Sequence, residues 1–206
     1  VAPGAVIASI QYSDVKASGN LSLTADSSNK ILAVTAAVGA SSDEGLALAA
    51  TVSMNIIAVD THAYIVGKKN SGIDAVGVVS IDAYNRSSIL SIAGGLSFSK
   101  KASIGVAGSC NEISGTLKAY VGEGNTADQE TIVNAGYLSI LALSEASVMN
   151  ISVGGGAGGK VAVNGSVSIN NISNDVTAFI KNTVAAVDDS INLSAMDESK
   201  IQSIAG

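Results

Sequence analysis

The sequence predicts an all-β chain wound into a β-solenoid, most simply a right-handed parallel β-helix. Three observations predict it. First, one short segment is written three times: Asn55, Asn111 and Asn170 are each followed eight positions later by Ala63-Tyr64-Ile65, Ala119-Tyr120-Val121 and Ala178-Phe179-Ile180. The copies lie 56 and 59 residues apart, a period that marks a repeat architecture. Second, apolar and polar residues alternate through most of the chain, the period-two signature of strands with one buried face. Third, 47% of the residues are hydrophobic but only 3% aromatic, and the chain has 22 Gly and no Trp. Stacked thin layers can be filled by Ala, Val, Ile and Leu, whereas a globular core normally takes larger rings.

Taken in order, residues 1–44 read as the second half of a unit. Val15-Lys16-Ala17, Leu21-Ser22-Leu23-Thr24-Ala25 and Ile31-Leu32-Ala33-Val34 return as Ile73-Asp74-Ala75, Val79-Ser80-Ile81-Asp82-Ala83 and Ile89-Leu90-Ser91-Ile92. The frame comes back at Leu138-Ser139-Ile140-Leu141-Ala142 and at Ile191-Asn192-Leu193-Ser194-Ala195. Repeats are therefore assigned to 45–101, 102–160 and 161–206, all within one solenoid segment that reads as a piece of a longer protein. The Asn motif lies in the first half of each repeat, and Val161-Ala162-Val163-Asn164-Gly165-Ser166-Val167 alternates almost without fault. No stretch keeps a 3.6-residue period, so no helix is expected. Breakers and charges fall between strands, at Gly67-Lys68-Lys69-Asn70-Ser71-Gly72, Gly122-Glu123-Gly124-Asn125, Asp188-Asp189 and Asp197-Glu198. Length differences fall there too: the corner 122–131 is longer than its counterpart and 181–188 shorter, as expected of a fixed scaffold with variable turns. With three short strands per rung and roughly 20–30 residues per rung, each repeat would supply about two rungs. Seven such rungs would make a rod ~35 Å long.

Several function classes are disfavoured. A net charge of −6 and a sequence pI near 4.6 argue against nucleic acid or an acidic membrane as partner. Mean hydropathy is +0.42, yet the longest uncharged run, 45–59, contains Thr51, Ser53 and Asn55, so no transmembrane helix is expected. The single Cys110 has no internal disulfide partner and takes the place of Met54 and Ile169 in the repeat, so it reads as a small buried hydrophobe.

Motifs that carry chemistry elsewhere lack their context here. Gly154-Gly155-Gly156-Ala157-Gly158-Gly159-Lys160 formally fits phosphate-loop spacings, but a strand pattern follows where a helix N-terminus is needed. Its glycines are expected to permit a turn or a close backbone approach. His62 is the only histidine and is replaced by Lys118 and Thr177 in the other copies, so it reads as part of a solvated strand face. No metal site, cofactor site or nucleophile–base pair is expected. The carboxylate pairs Asp43-Glu44, Asp188-Asp189 and Asp128 with Glu130 fall in presumed turns and read as solvated corners. Asn55, Asn111 and Asn170 are expected to satisfy corner backbone or to stack as a ladder, with Tyr64, Tyr120 and Phe179 as the accompanying repeat positions. The long corner, with Gly122, Glu123, Asn125, Asp128 and Glu130, is the candidate contact loop.

Units such as Val161-Ala162-Val163-Asn164-Gly165-Ser166-Val167-Ser168-Ile169-Asn170-Asn171-Ile172, followed by Thr177-Ala178-Phe179-Ile180, resemble the repeats of filamentous-haemagglutinin-like exoproteins. That two-partner-secreted family includes the large fusobacterial leukotoxin. The likeness spans nearly the whole chain and is one of repeat texture, with no catalytic signature. It implies a β-helical rod, secretion or display at the bacterial cell surface, and an adhesin or toxin role against a host cell surface, with neighbouring repeats of the parent chain as the other partner. The expected function is thus host-cell contact without bond chemistry. The alternatives are a polysaccharide-binding or polysaccharide-cleaving β-helix, or a surface fibre that self-associates through strand edges at its ends.

Overall fold

The computed structural model describes residues 4–42, 45–68 and 71–206, which form a parallel β-solenoid of four coils. Coil 1 holds β1 (Gly4–Gln11), β2 (Val15–Ala17), β3 (Leu21–Ser27) and β4 (Lys30–Ser41). Coil 2 holds β5 (Leu46–Val66), β6 (Gly72–Ala75), β7 (Val78–Asn85) and β8 (Ser88–Ser99). Coil 3 holds β9 (Ala102–Val121), β10 (Thr131–Ala135), β11 (Tyr137–Ser144) and β12 (Ser147–Gly158). Coil 4 holds β13 (Val161–Ile180), β14 (Thr183–Val187), β15 (Ile191–Asp197) and β16 (Lys200–Ala205). Like strands stack in four parallel sheets: A (β1-β5-β9-β13), B (β2-β6-β10-β14), C (β3-β7-β11-β15) and D (β4-β8-β12-β16). The one helical feature among the described residues is a 3-10 turn, Ala127–Gln129.

Rung size departs from the sequence expectation. Each repeat is one wide coil of four strands, not two rungs of three, so four coils at ~4.8 Å stack to under 20 Å rather than ~35 Å. The reason lies in the pairing. Asn55 lies beside Asn111 and Asn111 beside Asn170, while Ile81 lies beside Ile140, so both halves of a unit belong to the same level. Residues 1–44 also hold more than a second half: Ala8, Ser9 and Ile10 of β1 lie beside Ala63, Tyr64 and Ile65. The corner assigned to 181–188 shrinks to 181–182, because Thr183–Val187 is a strand.

Each coil has a body and a blade. In the body, sheets A, B, C and the start of D enclose an aliphatic core that includes Ile65, Ile73, Ile81, Leu117, Val133, Leu138 and Ile140. Those side chains are essentially inaccessible, and Cβ-branched residues suit the pleated walls. Like stacks on like, as in the columns Leu23–Ile81–Ile140–Leu193 and Ala25–Ala83–Ala142–Ala195, so neighbouring coils demand the same volume at the same place. Backbone continues the ladder round a corner: the Gly77 amide donates to the Gly19 carbonyl, and the Gly136 amide to that of Gly77.

Beyond Ile57, Ile89, Ile113 and Val148 the sheets converge. Here β4, β8 and β12 run out to a tip at residues 100–101 and 159–160, and β5, β9 and β13 return face to face with them. Inward side chains shrink along the way. On β9 they run Ile113, Asn111, Ser109, Ala107, Gly105, Ser103, and on β12 Val148, Asn150, Ser152, Gly154. A methyl group built on Gly95, Gly105 or Gly154 would collide with a carbonyl oxygen of the facing sheet: Val106, Gly155 and Gly165 respectively. The two layers are therefore much closer than the ~10 Å of ordinary sheet packing. Among the described residues, no helix is long and apolar enough to cross a membrane, which does not bear on membrane spanning by strands.

Candidate functional site

Where body narrows into blade, the three repeated asparagines form a continuous ladder. Asn55 Nδ2 donates to Asn111 Oδ1 at 2.8 Å, and Asn111 Nδ2 donates to Asn170 Oδ1 at 2.7 Å. Asn111 is 1% exposed, so its amide depends wholly on protein partners. Asn150 joins from the facing sheet: its Oδ1 accepts from Ser109 Oγ at 2.8 Å and from Asn111 Nδ2 at 3.3 Å. Ser53 and Ser168 accept from the amides of Asn55 and Asn170 on their own strands. The network ties sheets A and D across the throat, and each of its amides faces another polar side chain. It is a structural clamp, buried at Asn55, Asn111 and Asn150 and half-exposed at Asn170, and a cavity of about 450 Å³ lined by Met149, Asn150, Gln202 and Ser203 lies beside its sheet D side.

On the outer face of sheet A, Tyr64, Tyr120 and Phe179 stack with ring centroids 4.8 and 4.7 Å apart and planes within 7° of parallel. Parallel in-register strands impose this spacing, because one coil repeat equals one ring thickness plus contact. Burial first, and the Glu123 carboxylate second, push the Tyr120 phenol up to about 12. Gln11 donates to the Tyr64 hydroxyl at 2.8 Å and finishes one end of the stack.

Four residues nearer the throat, the β5–β9 pairing skips from Ala58↔Ser114 to Thr61↔Leu117. Asp60 fills the break: its Oδ1 accepts from the Thr116 amide at 2.8 Å and the Thr116 hydroxyl at 2.7 Å. Those hydrogen bonds hold the Asp60 carboxyl below its ordinary pKa. His62 Nε2 lies 3.1 Å from Thr116 Oγ1. With the hydroxyl proton committed to Asp60, the imidazole must donate here, so it cannot serve as base toward Thr116. Burial, then the neighbouring Lys118 charge, lowers the His62 pKa below its usual value. His62 is thus half-buried and hydrogen-bonded, where the sequence suggested a solvated strand face. The Asp–Thr–His grouping bridges a gap in the ladder across which the register is unchanged; it lacks the order of a nucleophile–base relay.

The long corner 122–130 stands out from the frame. Gly122 and Gly124 adopt positive φ (76° and 79°), and the Gly122 amide donates to the Ile65 carbonyl at 2.8 Å. Gln129 Oε1 accepts from the Asn125 amide and the Thr126 hydroxyl, and Asn182 of the next coil donates to the Thr126 carbonyl. Glu123, Asn125 and Asp128 are exposed, Glu130 is half-buried and Gly122 is buried. A cleft of about 320 Å³ beside the corner is lined by Tyr12, Val66, Glu123, Gln129 and Lys181. The candidate contact residues other than Gly122 therefore lie on one accessible corner, held by its own hydrogen bonds.

The remaining sequence candidates are placed as follows. The glycine run ends β12, and Val161 begins the strand β13, so no helix N-terminus faces those amides. Gly154 approaches the facing backbone of the blade, whereas Gly155 lies against Leu96 on the outside. Cys110 is half-exposed on the outer blade face between Met54 and Ile169, not buried in a core, because the inward positions of β9 there belong to Ser109 and Asn111. Asp188 and Asp189 sit exposed between β14 and β15. Asp43, Glu44, Lys69 and Asn70 lie outside the described residues. Among the described residues no three His, Cys, Asp or Glu side chains converge as a metal site. Sequence reasoning missed Asn150, because its register partners are Ser91 and Ser203 and no asparagine column announces it. It also missed Asp60 with Thr116, because neither residue recurs at its register position in the adjacent coils.

Fold and site together define a β-solenoid repeat protein with one wide coil per repeat. No family model, curated protein or solved structure matches the chain.

Proposed function

We propose that this chain is a structural and host-contact segment of a secreted or surface-displayed bacterial β-solenoid of the filamentous-haemagglutinin-like, two-partner-secreted kind, adhesin or leukotoxin. One observation carries the reading. The repeated polar and aromatic residues are consumed in holding coils together, while the non-repeated excursion at 122–130 is presented on an accessible corner beside a cleft. A rod whose frame is inert and whose corners vary displays contacts without performing bond chemistry. The competing polysaccharide reading requires open aromatic faces for sugar rings. Tyr120 has both faces covered, by Tyr64 and Phe179, and the exposed rings Tyr12 and Phe98 lie apart, at the β1–β2 corner and near the blade tip, so no row of open rings forms, which favours the host-contact reading.

The test is binding of the purified chain to leukocytes and epithelial cells with a viability readout. A variant in which residues 122–130 are replaced by the short corner Lys181-Asn182 is compared with it. Saturable binding or killing that the graft abolishes supports the proposal. Binding no greater than that of an unrelated β-helix would sink it.

A further inference from the structure

The blade is polar inside and apolar outside, the reverse of an ordinary two-layer sheet. Its inner layer is Gly, Ala, Ser, Thr and Asn, and its outer face on sheet A carries Leu48, Val52, Met54, Val163, Val167 and Ile169, each more than half exposed. Between them β9 adds Ile104, Val106 and Cys110. No charged residue occupies an outward position from 46 to 54, 102 to 110 or 161 to 169. A contiguous set of exposed aliphatic side chains of this kind marks an interaction surface, where a monomer ordinarily exposes such residues singly. The outer face of sheet D is apolar too, with Leu32, Val34, Val38, Leu96, Phe98, Met149 and Val153 exposed, but none of β4, β8, β12 or β16 contains a carboxylate to meet the lysines of a second blade tip.

We propose that the sheet A faces of two copies of this chain pack on each other, blade against blade. Flat parallel sheets with aliphatic outer rows are self-complementary, and facing sheets bury such rows at ~10 Å separation. Charge selects the orientation. The blade tip carries exposed Lys100 and Lys160, whereas Glu112, Asp60 and Asp175 lie on the same outer face at the base. A twofold axis parallel to the solenoid axis lays the tip of one blade over the base of the other. Lys100 then meets Glu112 of the second copy at the same coil level. The two rods lie side by side and parallel, so every coil of one faces the equivalent coil of the other. This lateral packing is distinct from end-to-end growth through strand edges.

The experiment is sedimentation equilibrium on the whole chain from 1 to several hundred micromolar, with far-UV circular dichroism as the folding control. A dimer is expected, and Val167→Lys with Ile169→Lys, both on exposed side chains, should weaken it at least tenfold while the spectrum is unchanged. Lys100→Glu should weaken it by roughly tenfold, and adding Glu112→Lys should restore it. Val38→Lys on the sheet D face should leave it intact. A monomer throughout the range overturns the proposal. So does association that Val167→Lys and Ile169→Lys leave unchanged, which marks end-to-end pairing. Flotation of the monomer with neutral phosphatidylcholine vesicles, lost in the same lysine variants, would also overturn it by assigning the face to lipid.

Discussion

The asparagine ladder makes a quantitative prediction about position within the stack. Asn111→Ala removes three hydrogen bonds, to Asn55, Asn150 and Asn170, from a side chain that is 1% exposed. At about 1 kcal/mol net per bond, plus a small cavity, the loss should be about 3–4 kcal/mol. Asn170→Ala removes only the bonds to Asn111 and Ser168, and its site is half-exposed, so water can replace the lost partners. Its cost should be about 1 kcal/mol. Urea unfolding followed by circular dichroism separates the two: with an m-value of ~2 kcal/mol/M, the midpoints should fall by ~1.5–2 M and ~0.5 M. Asn111→Asp adds a pH test. A carboxyl there would face the Oδ1 atoms of Asn150 and Asn170, both acceptors, so its folded-state pKa would rise above the unfolded ~3.9. The variant's deficit against the parent chain should then grow as pH rises from about 4 to 6. Equal losses for Asn111→Ala and Asn170→Ala, or a loss below 1 kcal/mol for Asn111→Ala, would refute the claim that the ladder is a buried clamp.

Three further outcomes follow from the same geometry. Gly105→Ala should cost about 3 kcal/mol or more, because its methyl meets the Gly155 carbonyl across the blade, whereas Gly165→Ala, with open space around it, should stay within about 0.5 kcal/mol in the same unfolding assay. His62, the sole histidine, should titrate by proton NMR with a midpoint below 6.5. Stability should be full above that pH and decline as pH falls below it, and His62→Gln should remove the decline; a midpoint at or above 6.5 would contradict the placement. Of the five tyrosines, Tyr120 should ionise near pH 12, holding its contribution below pH 10 and losing it through about 12. The last phase of the phenolate absorbance titration should vanish in Tyr120→Phe.

The repeat could be read directly because stacking of parallel strands puts each residue beside its counterpart one coil away. The same volume and polarity must therefore recur at a fixed period, which is why Asn55, Asn111 and Asn170, and Tyr64, Tyr120 and Phe179, were visible in the sequence. Asn150 was hidden because it reaches that ladder from a strand some forty residues away and has serine neighbours in its own column.

By itself, then, the sequence determined the all-β class, the strand alternation and the columns of like residues, since these follow from period-two geometry and from copying. It left open the number of strands in a coil and which alternate face turns inward. A run such as Leu46-Ala47-Leu48-Ala49 offers two faces, and hydrophobicity alone would bury the leucines. The tertiary structure buries the alanines instead. The sheets converge so closely beyond the throat that mainly Gly, Ala, Ser and other small polar residues fit between them, and the larger aliphatic side chains are left outside, where a second copy can cover them.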